Sequence, residues 1–406
     1  MDNAPRAKVF HRAALSVVLA AVASGCGQEA AISAGSANGG APTAPAAPAG
    51  SASAAGSPAG PDASSSAGAE APARAVAPMS ATVAAPSGPI RVIDMHVDTP
   101  WQVGFKGRSL DLLEGQATMR QLEEGRYAAI TYAIYISDKL HGGHPTISDA
   151  DSILKTVEQI IAKHADRLWD PRIGGVAPAD KVTAIISIEG AGAFAADITQ
   201  IDRFIARGVR FVGPVHYSDN KLASSATGAH PGHGLTASGK AFCRRVYAAG
   251  GLVDVSHMSD ESFADLVPIA AEYGAPIVAT HSNARAVADV PRNLTDDQLR
   301  AIAKSGGITG LNLHGAFLRA GAASSMVDAV KQAKHMIAVA GVEHVGIGSD
   351  FDGATPPSDL ADASRMPALG EALRKAGLSE SDLRAVFEGN ARRVLAWKPK
   401  VKDGPG

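Results

Sequence analysis

From Ile90 onward, short runs of apolar and β-branched residues alternate with longer stretches whose apolar positions recur at helical spacing. The short runs predict strands at Arg91–Met95, Ala128–Ile136, Ala184–Ile188, Val209–Val215, Leu252–Val255, Pro276–Ala279, Ile308–Leu313 and His344–Gly348. The longer stretches predict amphipathic helices, among them Ser148–Ala165, Asp260–Tyr273, Thr295–Lys304 and Ser325–Ala340. Thr295-Asp-Asp-Gln298 has the spacing of a capping box, in which two side chains satisfy each other's unbonded backbone N–H groups. Strands alternating with helices imply a parallel sheet. Eight such units over roughly 310 residues fit an α/β fold of the (β/α)8 TIM-barrel type. A doubly wound open sheet is the alternative, but the Gly-x-Gly-x-x-Gly turn common after its first strand does not occur here.

Before Ile90 the pattern is different. Arg6, Lys8 and Arg12 precede an apolar stretch from Ala13 to Ala23, which ends in Ala-Ser-Gly-Cys26. This is the build of an export signal, expected over residues 1–25, and the apolar stretch is shorter than the roughly 20 residues a spanning helix needs. Small residues directly before a cysteine resemble a bacterial lipobox, although Ala23 stands where leucine is usual. The resemblance implies cleavage before Cys26 and acylation of that residue. Ordinary cleavage that leaves an incidental cysteine is the simpler alternative. Residues 26–88 are almost entirely Ala, Gly, Ser and Pro, too poor in large apolar groups to fold, and are expected to form a disordered tether. The folded part is expected over residues 89–398, with a tail at 399–406. The protein is therefore expected to be exported and anchored to a membrane. Gly27, in place of an inner-membrane retention aspartate, favours the outer membrane and a periplasmic orientation.

A formal net charge of −2, with no basic stripe carrying aromatic residues, gives no reason to expect a nucleic-acid partner. The two cysteines, Cys26 and Cys243, form neither a disulfide framework nor a thiolate metal site. Cys243, in the helical run Gly239–Ala249, reads as a small buried apolar residue.

The chemistry lies at the strand ends, where barrel enzymes place catalytic groups. The first strand ends in His96-Val-Asp98, the third in Glu189-Gly190, the fourth in His216, the fifth in Ser256-His257, the sixth in Thr280-His281-Ser282 and the eighth in Ser349-Asp350-Phe351-Asp352. One histidine after a strand is usually structural, but this recurrence indicates a shared site. His96 and Asp98, two apart on extended backbone, point the same way and can share one metal ion. Alone, Asp98 would read as a turn cap. His257 and His281 end consecutive strands at a separation that suits one zinc ion, and Glu189 could give one oxygen to each of two ions. Manganese or cobalt could fill the same cage. A Ser256–His257–Asp254 triad fails, because adjacent strand positions face opposite sides.

Asp94-Met-His-Val-Asp-Thr-Pro100, Ile186-Ser-Ile-Glu-Gly190, Val253-Asp-Val-Ser-His257, Thr280-His-Ser282, Arg292-Asn293 and Gly348-Ser-Asp-Phe-Asp-Gly353 resemble the membrane dipeptidase (renal dipeptidase) family of metallopeptidases, from about residue 90 to 395. The resemblance implies two zinc ions per subunit, one on His96 and Asp98, the other on His257 and His281, with Glu189 bridging. It implies that His216 contacts the scissile group, that Arg292 reads the substrate carboxylate, and that Asp350 shuttles a proton. It also implies hydrolysis of dipeptides by a metal-bridging hydroxide, with substrates carrying a C-terminal D-residue included, and a homodimer. Two departures stand out. Glu189-Gly-Ala-Gly192 replaces the usual Glu-Gly-Gly-His, so an altered loop with a retained ligand is expected. His314 falls where relatives carry a pocket tyrosine.

Rival readings keep the barrel but change the substrate to an N-acyl amino acid or a lactone, or make the chain a non-catalytic metal- or peptide-binding lipoprotein. At single positions, Asp350 could instead brace a ligand histidine and Arg292 could form a surface ion pair. Asp352 is expected to be structural, or to support a ligand from behind, rather than catalytic. His141, His144, His230 and His233 are expected in lids or on the surface, and Asp111, Glu114, Glu123 and Glu124 as solvated helix charges.

Overall fold

The structure is a computed structural model that describes residues 88–399. The leader, Cys26, the tether through residue 87 and the tail past residue 399 lie outside the described residues.

The strands are β1 (Val92–Val97), β2 (Tyr127–Tyr135), β3 (Leu168–Trp169), β4 (Val182–Glu189), β5 (Val209–Gly213), β6 (Leu252–Val253), β7 (Val278–Ala279), β8 (Ile308–Leu311) and β9 (Val345–Ile347). Eight of them follow the order β6-β5-β4-β2-β1-β9-β8-β7, and every pairing is parallel. A parallel bridge between Asp254 and Val278 joins the two ends of this path, which closes the barrel. The eight expected strands are all present. The unexpected β3 pairs only with Val182 and Thr183 at the start of β4. Every residue of β1 is buried, and β2 is buried from Tyr127 to Ile134, as befits strands covered on both faces.

Two seams of the barrel are thin. β1 and β9 share a single register pair, Asp94 with Ile347, and β6 meets β7 only through the Asp254 bridge. At each seam a buried aspartate supplies what the ladder lacks. Asp94 Oδ1 accepts from the N–H groups of His96 at 3.2 Å and Ser349 at 2.9 Å. Asp254 Oδ1 accepts from those of Ser256 at 3.0 Å and Thr280 at 2.9 Å. Each carboxylate thus joins its own chain two residues on to the neighbouring strand's end. Those are the ends from which His96, Asp350, His257 and His281 project.

The expected helices form at Ile147–Lys163, Asp260–Glu272, Asp296–Lys304 and Met326–Ala340. The capping box at Thr295 is made, with Gln298 N–H donating to Thr295 Oγ1 at 3.2 Å and Thr295 N–H to Gln298 Oε1 at 2.7 Å. A C-terminal helical run that the sequence reading did not delimit, Glu380–Arg384 through Asn390–Leu395, packs under the barrel, and Asn390 donates to the carbonyls of Val342 and Val345. Glu123 and Glu124 lie on the helix Met119–Glu124 and are exposed, whereas Asp111 and Glu114 sit in the preceding loop rather than on a helix.

Cys243 is wholly buried in the helix Ala237–Ala248, and burial pushes its thiol up to about 12. Because the thiolate is the reactive form, a Cys26→Ser chain is expected to resist thiol reagents at pH 8 until denaturant opens the fold. Stoichiometric labelling of the native protein would contradict this.

Candidate metal centre

His96, Asp98, Glu189, His216, His257, His281, Arg292 and Asp350 are all buried, and the barrel brings its strand-end residues into one cluster. Glu189 is at its middle. Its Oε1 is 2.9 Å from His257 Nε2 and 3.3 Å from His281 Nε2, and those two nitrogens are 3.1 Å apart. On the other side, His96 Nε2 is 3.5 Å from Glu189 Oε2 and 3.4 Å from Asp98 Oδ2. A tetrahedral ion with bonds of about 2.0–2.1 Å has ligand–ligand edges of about 3.3 Å. The three edges around His257 and His281 and the two edges from His96 therefore have the dimensions of metal-binding faces, and each set uses a different oxygen of one carboxylate.

The electrostatics fit a cation. Burial, reinforced by the positive charge of Arg292 near His257 and of His96 near His281, holds both of those imidazoles well below the usual histidine range. Neutral imidazole is the ligand form. Burial opposes charge on Glu189, yet the charges of His96 and His216 hold this carboxyl well below its usual range. Burial likewise works against the His96 cation, but Glu189 and Asp98 outweigh it and raise that imidazole well above its ordinary value. Burial raises Asp98, and it pushes Asp350 up to about 6. Both ring nitrogens of His96, Nδ1 of His257 and Oδ1 of Asp98 are buried without a hydrogen-bond partner. Imidazole and carboxylate atoms packed this closely, with His96 Nε2 and Asp98 Oδ1 left without hydrogen-bond partners, fit divalent ions bound by imidazole and carboxylate.

Backbone geometry aims the groups. His257, Asp350 and Asp352 adopt φ values of 71°, 65° and 65°, unusual for residues with a Cβ. Gly190, with φ 81°, turns the chain directly after Glu189, and Ala191–Ala196 then forms a short 3₁₀ helix. Gly353 packs so tightly on Asp98 and Asp350 that a Cβ there would overlap both carboxylates.

His216 stands beside the cluster, its Nε2 3.9 Å from Glu189 Oε1 and its Nδ1 3.7 Å from Asp138 Oδ2. Asp350 Oδ2 accepts from Asn312 Nδ2 at 3.0 Å, and Asn312 Oδ1 accepts from the N–H of His314 at 2.6 Å. The His314 ring is buried edge-on against Phe317, with centroids 4.4 Å apart. Arg292 is not a surface residue. It is 4 % exposed, its guanidinium carbon lies 5.4 Å from the Phe317 ring centre, and one N–H donates to the His281 carbonyl at 3.3 Å. Its Nε has no partner, and no carboxylate among the described residues pairs with it.

Asp94, Asp254, Thr280 and Asn312 were given no role in the site from the sequence, although Thr280 was noted at its strand end and Asp254 in the rejected triad. Their signal was a polar residue inside an otherwise apolar strand end. Asp254 gives no bond to His257, which confirms the failure of the triad. Asp352 is structural, as expected. It accepts from Thr99 Oγ1 at 2.6 Å and Gln116 N–H at 2.9 Å and pairs with Arg108 at 2.7 Å, which ties the loop after β1 to the end of β9. Removing one partner of a buried charged pair is costly, so Asp352→Ala is expected to lower stability by about 3 kcal/mol. The urea midpoint reads this, and an unchanged midpoint would refute it. Exposed His141 pairs with Asp149 at 3.0 Å, and exposed His230 and His233 stack at 5.2 Å.

Comparison with known proteins agrees with this site. The sequence profile of the membrane dipeptidase family (peptidase family M19) matches residues 87–403. A Klebsiella pneumoniae protein encoded in the pqqA 5′ region is 41 % identical over 226 residues, which cover 53 % of this chain and 82 % of that one. The dipeptidase verJ of Clonostachys rogersoniana is 28 % identical over 75 % of this chain and 84 % of its own length. Among solved structures, a metallopeptidase from Rhodobacter sphaeroides bound to a phosphinate mimic of L-Ala-D-Ala superposes with a TM-score of 0.68 at 28 % identity, covering 76 % of this chain and 99 % of that one. The barrel, the buried imidazole–carboxylate cluster and the profile match together place this chain in the membrane dipeptidase family of metallopeptidases.

Proposed function

We propose that the protein is an exported two-zinc dipeptidase that accepts substrates with a C-terminal D-residue. Arg292 carries the reading: a buried cation without a carboxylate partner, next to the metal-binding cluster, is a ready receptor for the free carboxylate of a dipeptide. The guanidinium fork can grip that carboxylate through two parallel bonds. A longer peptide has no carboxylate at that distance from the metals, which restricts the substrate to two residues.

His96 and Asp98 would hold one ion, His257 and His281 the other, and Glu189 both. When bound, the ions would supply a water acidic enough to ionise near neutral pH and would polarise the scissile carbonyl. His216 donates a hydrogen bond to the developing oxyanion, a contribution worth about 2.7–4 kcal/mol in a comparable case. Asp350, held by Asn312, takes the proton released from water and returns it to the leaving amine. The bound L-Ala-D-Ala mimic in the Rhodobacter peptidase supports a D-residue at the C-terminal position.

The proposal extends to acylation of Cys26, an outer-membrane anchor facing the periplasm, and a homodimer. Loss of membrane association in Cys26→Ser, and the mass of the native particle, test these points.

The decisive experiment incubates the protein with L-Ala-D-Ala, L-Ala-L-Ala, tri-L-alanine and N-acetyl-L-alanine, with and without a chelator. Chelator-sensitive release of alanine from the dipeptides alone is expected. No turnover of any dipeptide by protein carrying zinc would overturn the proposal, and cleavage of the acylated amino acid alone would favour the N-acyl reading.

A further inference from the structure

The imidazoles of the metal centre are not supported alike. Nδ1 of His96 and of His257 have no hydrogen-bond partner, whereas Nδ1 of His281 lies 2.8 Å from Thr280 Oγ1. Thr280 Oγ1 in turn lies 2.5 Å from Asp254 Oδ2. Asp254 Oδ1 already accepts two backbone N–H groups, from Ser256 and Thr280. Every group facing that carboxylate is a donor, so it acts only as an acceptor.

A threonine hydroxyl has one proton to give. It goes to Asp254, the closer partner. Thr280 Oγ1 can then only accept from His281, and the proton between them must be on Nδ1. Ser256 Oγ, 3.5 Å from Thr280 Oγ1, is too far to compete. His281 Nε2 is left with its lone pair directed at the space it shares with Glu189 Oε1 and His257 Nε2.

We propose that Asp254 and Thr280 are positioning residues that lock His281 in the Nδ1–H tautomer and thereby set the affinity of the metal position His281 shares with His257. The proposal rests on the metal reading above and refines it. Asp254 has two tasks, since one oxygen holds the β6–β7 seam and the other orders a ligand. The position on His96 and Asp98 lies outside this relay and meets it only indirectly, through the shared Glu189 and the nearness of His281 to His96.

The test compares the full-length chain with Thr280→Val, which keeps the backbone donor and the shape of the side chain but removes the hydroxyl, and with Thr280→Ser, which restores it. Metal-stripped proteins are titrated with zinc in competition with a chromophoric chelator. Partners behind a ligand histidine typically contribute 10–100-fold in affinity. Thr280→Val is therefore expected to weaken one of the two zinc positions roughly 10–100-fold and the other clearly less, with Thr280→Ser close to the parent. If the parent chain takes up no zinc, the metal reading fails. If the parent binds and Thr280→Val binds identically, or loses both positions equally, the relay alone is overturned.

Should valine prevent folding, the parent protein decides. With 15N-labelled histidine and no metal, the His281 signal, identified by its loss in His281→Gln, is expected to show a proton on Nδ1 and a bare Nε2. A proton on Nε2 would overturn the proposal.

Discussion

Glu189→Gln is expected to reduce kcat/KM for alanine dipeptides by on the order of 10³-fold, with both metal positions emptied at zinc concentrations that saturate the parent. Metal-assisted charge stabilisation is worth several kcal/mol, and each 1.36 kcal/mol is a factor of ten in rate. The geometry explains why one residue carries so much. Oε1 of Glu189 faces His257 and His281, and Oε2 faces His96. Glutamine turns one of those oxygens into an NH₂ group that points at a position built for a cation, and it removes a charge on which His96 depends. Metal content by mass spectrometry and steady-state kinetics read the outcome together. A variant that holds two ions per chain with kcat/KM within tenfold of the parent would show that the carboxylate does not bridge.

Arg292→Met is expected to reduce kcat/KM by about 10²–10³-fold, mostly through KM, because separating a buried, hydrogen-bonded charge pair costs about 2–5 kcal/mol. The informative form of the experiment is a cycle with substrate amides. If Arg292 binds the substrate carboxylate, amidation penalises the parent heavily and Arg292→Met hardly at all. Equal penalties in both proteins would mean that the guanidinium serves another group, and the restriction to dipeptides would need a different cause. The choice of methionine keeps the apolar stem against Phe317, over which the guanidinium lies.

The barrel was legible because its strands are covered on both faces and so appear as apolar runs, β2 most clearly. The metal-type residues were legible because they sit where those runs stop. The sequence did not reveal how little ladder holds the strands that end in His257 and His281. β6 and β7 are two residues each, against expected runs through Val255 and from Pro276. Asp94 and Asp254 replace the missing bonds, but their partners come from Ser349 and Thr280, which only barrel closure brings near. A polar residue in a strand gives no sign of which neighbour it will meet. The inward path of Arg292 and its stacking on Phe317 belong to the same class, as does the tie from Arg108 to Asp352. Each is a contact between distant parts of the chain, whereas the strands and helix caps follow from neighbours in sequence.

The positive φ angles at His257, Asp350 and Asp352 have an evolutionary consequence. A residue with a Cβ in the left-handed region gives up about 1–2 kcal/mol relative to its relaxed backbone, and glycine avoids much of that cost. Selection for a stable barrel alone would therefore favour glycine at His257 and Asp350, and selection for the site opposes it, whereas the carboxylate of Asp352 is itself stabilising through Thr99, Gln116 and Arg108. Relatives that keep the fold but have abandoned catalysis should drift there first. A glycine at the position of His257 or Asp350, in a chain whose barrel is otherwise intact, would mark a scaffold that has outlived its chemistry.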